Sequence, residues 1–124
     1  MGSINIVFGL SWMIFGILSG MVMGLWAEKE SWLGGYDSIT RRYLRLAHVA
    51  LFALSIINIL YGSELNVVNI SLHQKLTGSM LMIFAAVGIS LGCAIAAFFR
   101  PMKYFLPLPA SAFLAANIIL VIGL

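Results

Sequence analysis

The chain has 124 residues, of which 62% are hydrophobic and 9% charged, with a formal net charge of +3. A water-soluble domain of this length needs far more charged surface, so the composition excludes a soluble enzyme or binding domain and indicates an integral membrane protein. The basic residues cluster between apolar runs, which indicates membrane topology and contact with lipids rather than binding to nucleic acid.

Four apolar runs are each long enough to span a bilayer, which takes about 20 residues. They predict transmembrane helices at residues 4–26, 43–61, 75–99 and 107–124, joined by short loops in a single transmembrane domain over residues 1–124. The expected fold is an all-α integral membrane protein, an antiparallel bundle of four helices. Six of the seven Lys and Arg residues lie around the first and third connections. The positive-inside rule therefore predicts that these two loops are cytoplasmic and both termini outside. We expect the membrane to be a bacterial inner membrane.

The first run carries three glycines at spacings of four residues, Gly16, Gly20 and Gly24. This spacing stacks them on one face of a helix, where a second backbone can approach closely. The third run has a comparable small-residue surface at Gly88 and Gly92. We expect the two surfaces to pack together. Alternatively, the glycines of the first helix contact another subunit or another copy of the chain.

The segment 27–42 is the one sizeable loop and is expected to lie at the cytoplasmic interface. Asp37 or Ser38 is predicted to cap the second helix by accepting hydrogen bonds from its free N–H groups. Glu28 and Glu30 are close enough in sequence to pair with the arginines that follow. The basic residues predicted to contact lipid headgroups are Arg41, Arg42, Arg45, Arg100 and Lys103.

His48 lies in the second apolar run, three residues after Arg45 and so about 4.5 Å deeper in the membrane. Three interpretations are open for it: a hydrogen bond to a neighbouring helix, axial ligation of haem b or chlorophyll, or a proton relay. His73 precedes the third predicted helix. Because the second and third helices are expected to be antiparallel, His48 and His73 should lie near opposite membrane faces and cannot share a metal ion.

A polar seam is predicted from Ser55, Asn58 and Asn117. Polar side chains are retained within a bilayer where they face protein, water or a cofactor, so the second helix is expected to be an inner one. Asn58 and Asn117 are expected at similar depths, which predicts a hydrogen bond between the second and fourth helices.

Catalytic activity is not expected, because the carboxylates fall in loops and no nucleophile, metal-site or phosphate-loop motif occurs. The short loops and small-residue faces favour a small accessory or assembly subunit of a larger membrane complex, of an energy-transducing or electron-transfer kind. Its partners would be other membrane subunits or further copies of itself. One alternative is a haem- or chlorophyll-binding protein in which His48 is one axial ligand and another chain supplies the second. A further alternative is a small channel or transporter.

Overall fold

The computed structural model describes residues 2–124 and is helical, with no strand in that range. Its four long helices are α1 (Ser3–Trp26), α2 (Ile39–Val67), α3 (Leu72–Phe98) and α4 (Pro107–Gly123). Short 3₁₀ turns at Trp32–Gly34 and Arg100–Tyr104 lie in the first and third connections. All four helices are long and apolar enough to cross a membrane when α4 is taken with the turn before it. This confirms the predicted number and kind of elements.

Helices α2 and α3 begin before the predicted apolar runs because polar residues cap their first turns, and α2 also continues beyond residue 61 to Val67. Ser38 accepts a hydrogen bond from the backbone N–H of Arg41 at 3.2 Å, so α2 begins in the polar segment. Ser71 and Gln74 form a reciprocal capping box at the start of α3. A helix boundary predicted from hydropathy falls at the first polar residues, whereas the hydrogen-bonded helix includes them.

Helices α2 and α3 lie in the middle of the bundle, with α1 packed mainly on α2 and α4 mainly on α3. One apolar core lies where α2, α3 and α4 meet, around Tyr61, Leu65 and Met82. The hydroxyl of Tyr61 donates to the backbone oxygen of Ala116 on α4 at 2.9 Å. In the most apolar 18 residues of each helix, 44% of the residues of α3 are buried, against 22% of those of α2. Helix α2 is therefore an inner helix, as expected, but α3 is more deeply enclosed.

The glycines of α1 face α2 rather than α3, which corrects the expected packing. A Cβ added at Gly16 would lie 3.1 Å from the ring of Phe52, and one at Gly20 would lie 2.8 Å from Cε1 of His48. Apart from its chain neighbours and the backbone of its own helix, no atom lies within 4 Å of a Cβ added at Gly24. The first two glycines are thus used within the chain, and the third is open.

The glycines of α3 face the opposite side of the bundle. A Cβ at Gly88 would lie 2.6 Å from Cβ of Pro109, and a Cβ at Gly92 would lie 2.6 Å from a methyl group of Leu106. The small-residue surface of α3 therefore accommodates the proline-containing start of α4. It is not free to receive α1.

Candidate functional site

His48 projects from α2 towards α1, where it meets Ser19. The Nδ1 atom of the imidazole lies 2.9 Å from Oγ of Ser19, and the hydroxyl of Ser19 donates to the backbone oxygen of Gly16 at 2.8 Å. The ring also packs edge-on against Phe52, with 5.3 Å between ring centroids. His48 therefore joins two helices through a hydrogen bond, in agreement with the first of its three interpretations.

The Ser19 hydroxyl determines which imidazole nitrogen carries the proton in the neutral ring. A hydroxyl has one hydrogen, and that of Ser19 is donated to Gly16. When the hydroxyl of Ser19 donates to Gly16, the Ser19–His48 bond runs from Nδ1–H to Oγ, and Nε2 keeps its lone pair. This is the arrangement in which histidine binds a metal through Nε2, with its other nitrogen held by a hydrogen bond.

The surroundings of Nε2 leave little room for a macrocycle. A Cβ built on Gly20 would lie 3.3 Å from Nε2, so the backbone of α1 packs against this edge of the ring. A haem or chlorophyll bound there would require α1 to move away. Within residues 2–124, no three side chains of His, Cys, Asp or Glu come together to form a metal site.

A second polar cluster lies between α1, α2 and α3 and consists of Asn5, Asn58 and Ser79. The amide nitrogen of Asn5 donates to Oδ1 of Asn58 at 3.0 Å, and the hydroxyl of Ser79 donates to Oδ1 of Asn5. All three side chains are buried. The amide nitrogen of Asn58 donates to the oxygen of Leu54 at 2.9 Å, so the amides of both asparagines have partners, as an apolar solvent requires.

The predicted hydrogen bond between Asn58 and Asn117 is wrong. The amide of Asn117 donates to the oxygen of Phe113 on its own helix at 2.8 Å. The hydroxyl of Ser55 likewise donates a hydrogen bond to the oxygen of Leu51 on its own helix. Of the predicted polar seam, Asn58 makes the contact between helices, and its partner is Asn5.

Sequence reasoning missed Asn5 and Ser19, the two α1 side chains that meet the polar residues of α2. Both are visible as polar residues in an apolar run. The sequence did not show which residues they contact, because the rotation of each helix about its axis decides which side chains meet.

The arginines at the start of α2 pack on aromatic rings rather than on carboxylates. The Arg41 side chain is 94% buried, since its exposed fraction is 6%. Its Nη2 donates to the oxygen of Ala27 at 3.0 Å, and its guanidinium carbon lies 5.4 Å from the centre of the Trp32 ring. The expected pairing with Glu28 or Glu30 is not formed.

Arg45 lies beside the same aromatic residues. Its guanidinium carbon is 4.4 Å from the centre of the Tyr36 ring, and Nη1 donates to the oxygen of Tyr36 at 3.1 Å. Arg41 and Arg45 border a cavity of about 290 Å³, which we call the basic mouth. It is lined by Met23, Ala27, Trp32, Tyr36, Leu44 and the two arginines.

The other predicted headgroup residues lie elsewhere. Arg42 and Lys103 are exposed. Arg100 donates to the backbone oxygens of Ala96 and Ala97 at the end of α3 and reaches Thr40 at 3.1 Å. Arg100 therefore satisfies the last carbonyls of one helix and ties it to the start of another.

An apolar space continues from the basic mouth along α1. A cavity of about 240 Å³ shares Met23, Trp32 and Leu44 with the mouth and is bordered by Ser19 and His48. A third space of about 540 Å³ continues past Leu91 to Trp12. We call these two spaces the lateral groove. The groove lies between α1 on one side and α2 and α3 on the other.

No protein-family model, curated protein or solved structure matches the chain.

Proposed function

We propose that this protein is a small accessory or assembly subunit of a larger membrane complex in a bacterial inner membrane. Its helices would form an antiparallel bundle with both termini outside. Two contacts support the antiparallel order of α1 and α2: Gly2 N donates to Asn66 Oδ1 at 3.0 Å, and Ser19 meets His48. The start of α1 thus lies beside the end of α2. The basic residues at the other end of the bundle support a cytoplasmic location for that end.

The observation that carries the accessory role is the open surface at Gly24. Gly16 and Gly20 are covered by α2, whereas the third glycine of the row has open space around it. Its neighbours Met21 and Leu25 are 61% and 73% exposed. Small residues flanked by apolar side chains allow a helix of another chain to approach closely. A partner helix would pack on Gly24 in the way that α2 packs on Gly16 and Gly20.

Substitution of Gly24 tests the proposal. The protein is purified from its native membrane in a mild detergent, and the subunits that accompany it are identified. We expect Gly24→Ile to lose these subunits while the purified chain keeps its helical content. Ala110→Ile is the matched control, because Ala110 is an exposed small residue on α4. A wild-type chain isolated as a monomer would overturn the proposal, as would equal loss in both variants.

A cofactor-binding protein is the second candidate, favoured by the free lone pair on Nε2 of His48. The complex that we propose for the accessory subunit, of an energy-transducing or electron-transfer kind, is also the setting for this candidate, in which another chain would supply the second ligand. An absorbance spectrum of the purified protein tests it. A Soret band that disappears in His48→Ala and persists in His73→Ala would support ligation, whereas a colourless wild-type preparation would exclude it.

A further inference from the structure

We propose that the basic mouth and the lateral groove together bind one anionic phospholipid. Its headgroup would lie on Arg41 and Arg45, and one acyl chain would follow the groove past His48 towards Trp12. Gly24 lines neither the mouth nor the groove, and the proposed binding does not depend on a partner subunit.

The charge of Arg41 indicates what the mouth binds. A guanidinium has five N–H donors, but the Arg41 side chain donates one hydrogen bond within residues 2–124, to Ala27. No carboxylate of the described chain pairs with it. A buried charge is costly unless an opposite charge and further hydrogen bonds compensate for it. The donors that border the mouth therefore favour an anion.

A phosphate group matches the arrangement of the two arginines. Arg41 and Arg45 are one helical turn apart on α2, so their guanidinium groups approach the mouth from the same side. Planar guanidinium groups bind phosphate oxygens through paired N–H donors. The rings of Trp32 and Tyr36 lie beside these groups, and such aromatic residues are typical of the depth at which headgroups lie.

The length and lining of the groove match one acyl chain. From Met23 at the mouth to Trp12 at the far end, α1 rises about 16 Å at 1.5 Å per residue. This is about half of a hydrocarbon core of roughly 30 Å, which is the depth of one leaflet. The walls are almost entirely apolar, and their polar side chains already have partners: Ser19 bonds to His48, and Ser90 accepts a hydrogen bond from Nε1 of Trp12 at 3.3 Å. The site thus offers positive charge at one end and an apolar groove along its length. An anionic phospholipid matches both features, whereas a free anion matches only the first.

Native mass spectrometry of the full chain released from detergent micelles tests the proposal. Phosphatidylglycerol and phosphatidylcholine with identical acyl chains are titrated separately. We expect a single bound phosphatidylglycerol, with phosphatidylcholine binding about fivefold or more weakly because it lacks the net charge. Arg45→Gln should weaken phosphatidylglycerol binding about fivefold, and Arg41→Gln should do the same if it folds. Arg42→Gln is the matched control: Arg42 is exposed and does not border the mouth, so its predicted headgroup contact is with the surrounding lipid, and binding of the single lipid should be unchanged.

Filling the groove separates a lipid from a free anion. Val22 is 52% exposed and borders both parts of the groove, so Val22→Trp should fit without disturbing the core. We expect this variant to lose the bound phosphatidylglycerol although both arginines are intact. Unchanged binding in Val22→Trp would overturn the proposal and leave an anion site alone. Equal binding of the two lipids, or equal effects of Arg42→Gln and Arg45→Gln, would also overturn it.

Discussion

Asn5 on α1 and Asn58 on α2 form a fully buried amide pair, with Nδ2 of Asn5 donating to Oδ1 of Asn58 at 3.0 Å. Asn5 also receives the hydroxyl of Ser79 from α3. One side chain thus connects three helices at the end of the bundle where α1 begins. An intramembrane bond of this kind contributes about 0.6 to 2 kcal/mol, so the cluster adds to the packing of α1 on α2 in holding α1 in place.

Replacement of Asn5 by Leu should lower the free energy of unfolding by about 1 to 2 kcal/mol, because it leaves Asn58 and Ser79 without their partner. The measurement is reversible unfolding in mixed micelles. Asn117→Leu is the matched control, since Asn117 bonds only to a carbonyl of its own helix. We expect a change below about 0.5 kcal/mol for it, as at a site away from networks between helices. Equal changes in the two variants would contradict the role of Asn5.

The glycines of α1 should differ sharply in their tolerance of alanine. A Cβ at Gly9 would lie 2.6 Å from the backbone oxygen of Ser55, which cannot rotate away. Gly9→Ala should therefore destabilise the protein by about 1 to 3 kcal/mol. Gly24→Ala should be neutral or should stabilise α1 by up to about 1 kcal/mol, because alanine favours the helix and nothing lies nearby. The same unfolding assay ranks the two variants, and a neutral Gly9→Ala would show that α1 is not packed this closely.

The capping box of α3 should contribute measurably to stability. Ser71→Ala removes the acceptor for the backbone N–H of Gln74 and should cost about 0.5 to 2 kcal/mol. Ser111→Ala serves as a control, because its hydroxyl only returns to the oxygen of Pro107 within α4. Hydrogen exchange of the first turn of α3 gives a local readout. Unchanged protection there in Ser71→Ala would contradict the assignment.

Ser19 should fix the tautomer of neutral His48. In the wild type, ¹⁵N NMR of labelled histidine should show Nδ1 protonated and Nε2 free. Ser19→Ala removes the acceptor and should shift the population towards the Nε2–H form. His73 is the internal reference, since it is exposed and remote from Ser19. A wild-type His48 that is already protonated at Nε2 would contradict the hydrogen-bond direction inferred here.

The sequence predicted the helices well and their partners poorly. The apolar runs predicted four spans, and of the two residues expected to cap α2, Asp37 or Ser38, it is Ser38 that does so. Three interpretations of His48 were open, namely a hydrogen bond between helices, axial ligation and a proton relay. The structure shows its hydrogen bond to Ser19. The pairing of Asn58 with Asn117 was wrong, because depth along the membrane was the only coordinate that the sequence supplied.

The number of spans and the polar residues within them were determined by the sequence alone, because apolar length and helical rise are local properties. The tertiary structure decided which faces meet: the glycines of α1 on α2, the glycines of α3 on the start of α4, and Asn58 on Asn5. In a soluble protein, an apolar stripe would have marked the buried face of each helix. In a membrane the surrounding lipid is as apolar as the interior, so close packing and a few buried hydrogen bonds set the rotation of each helix.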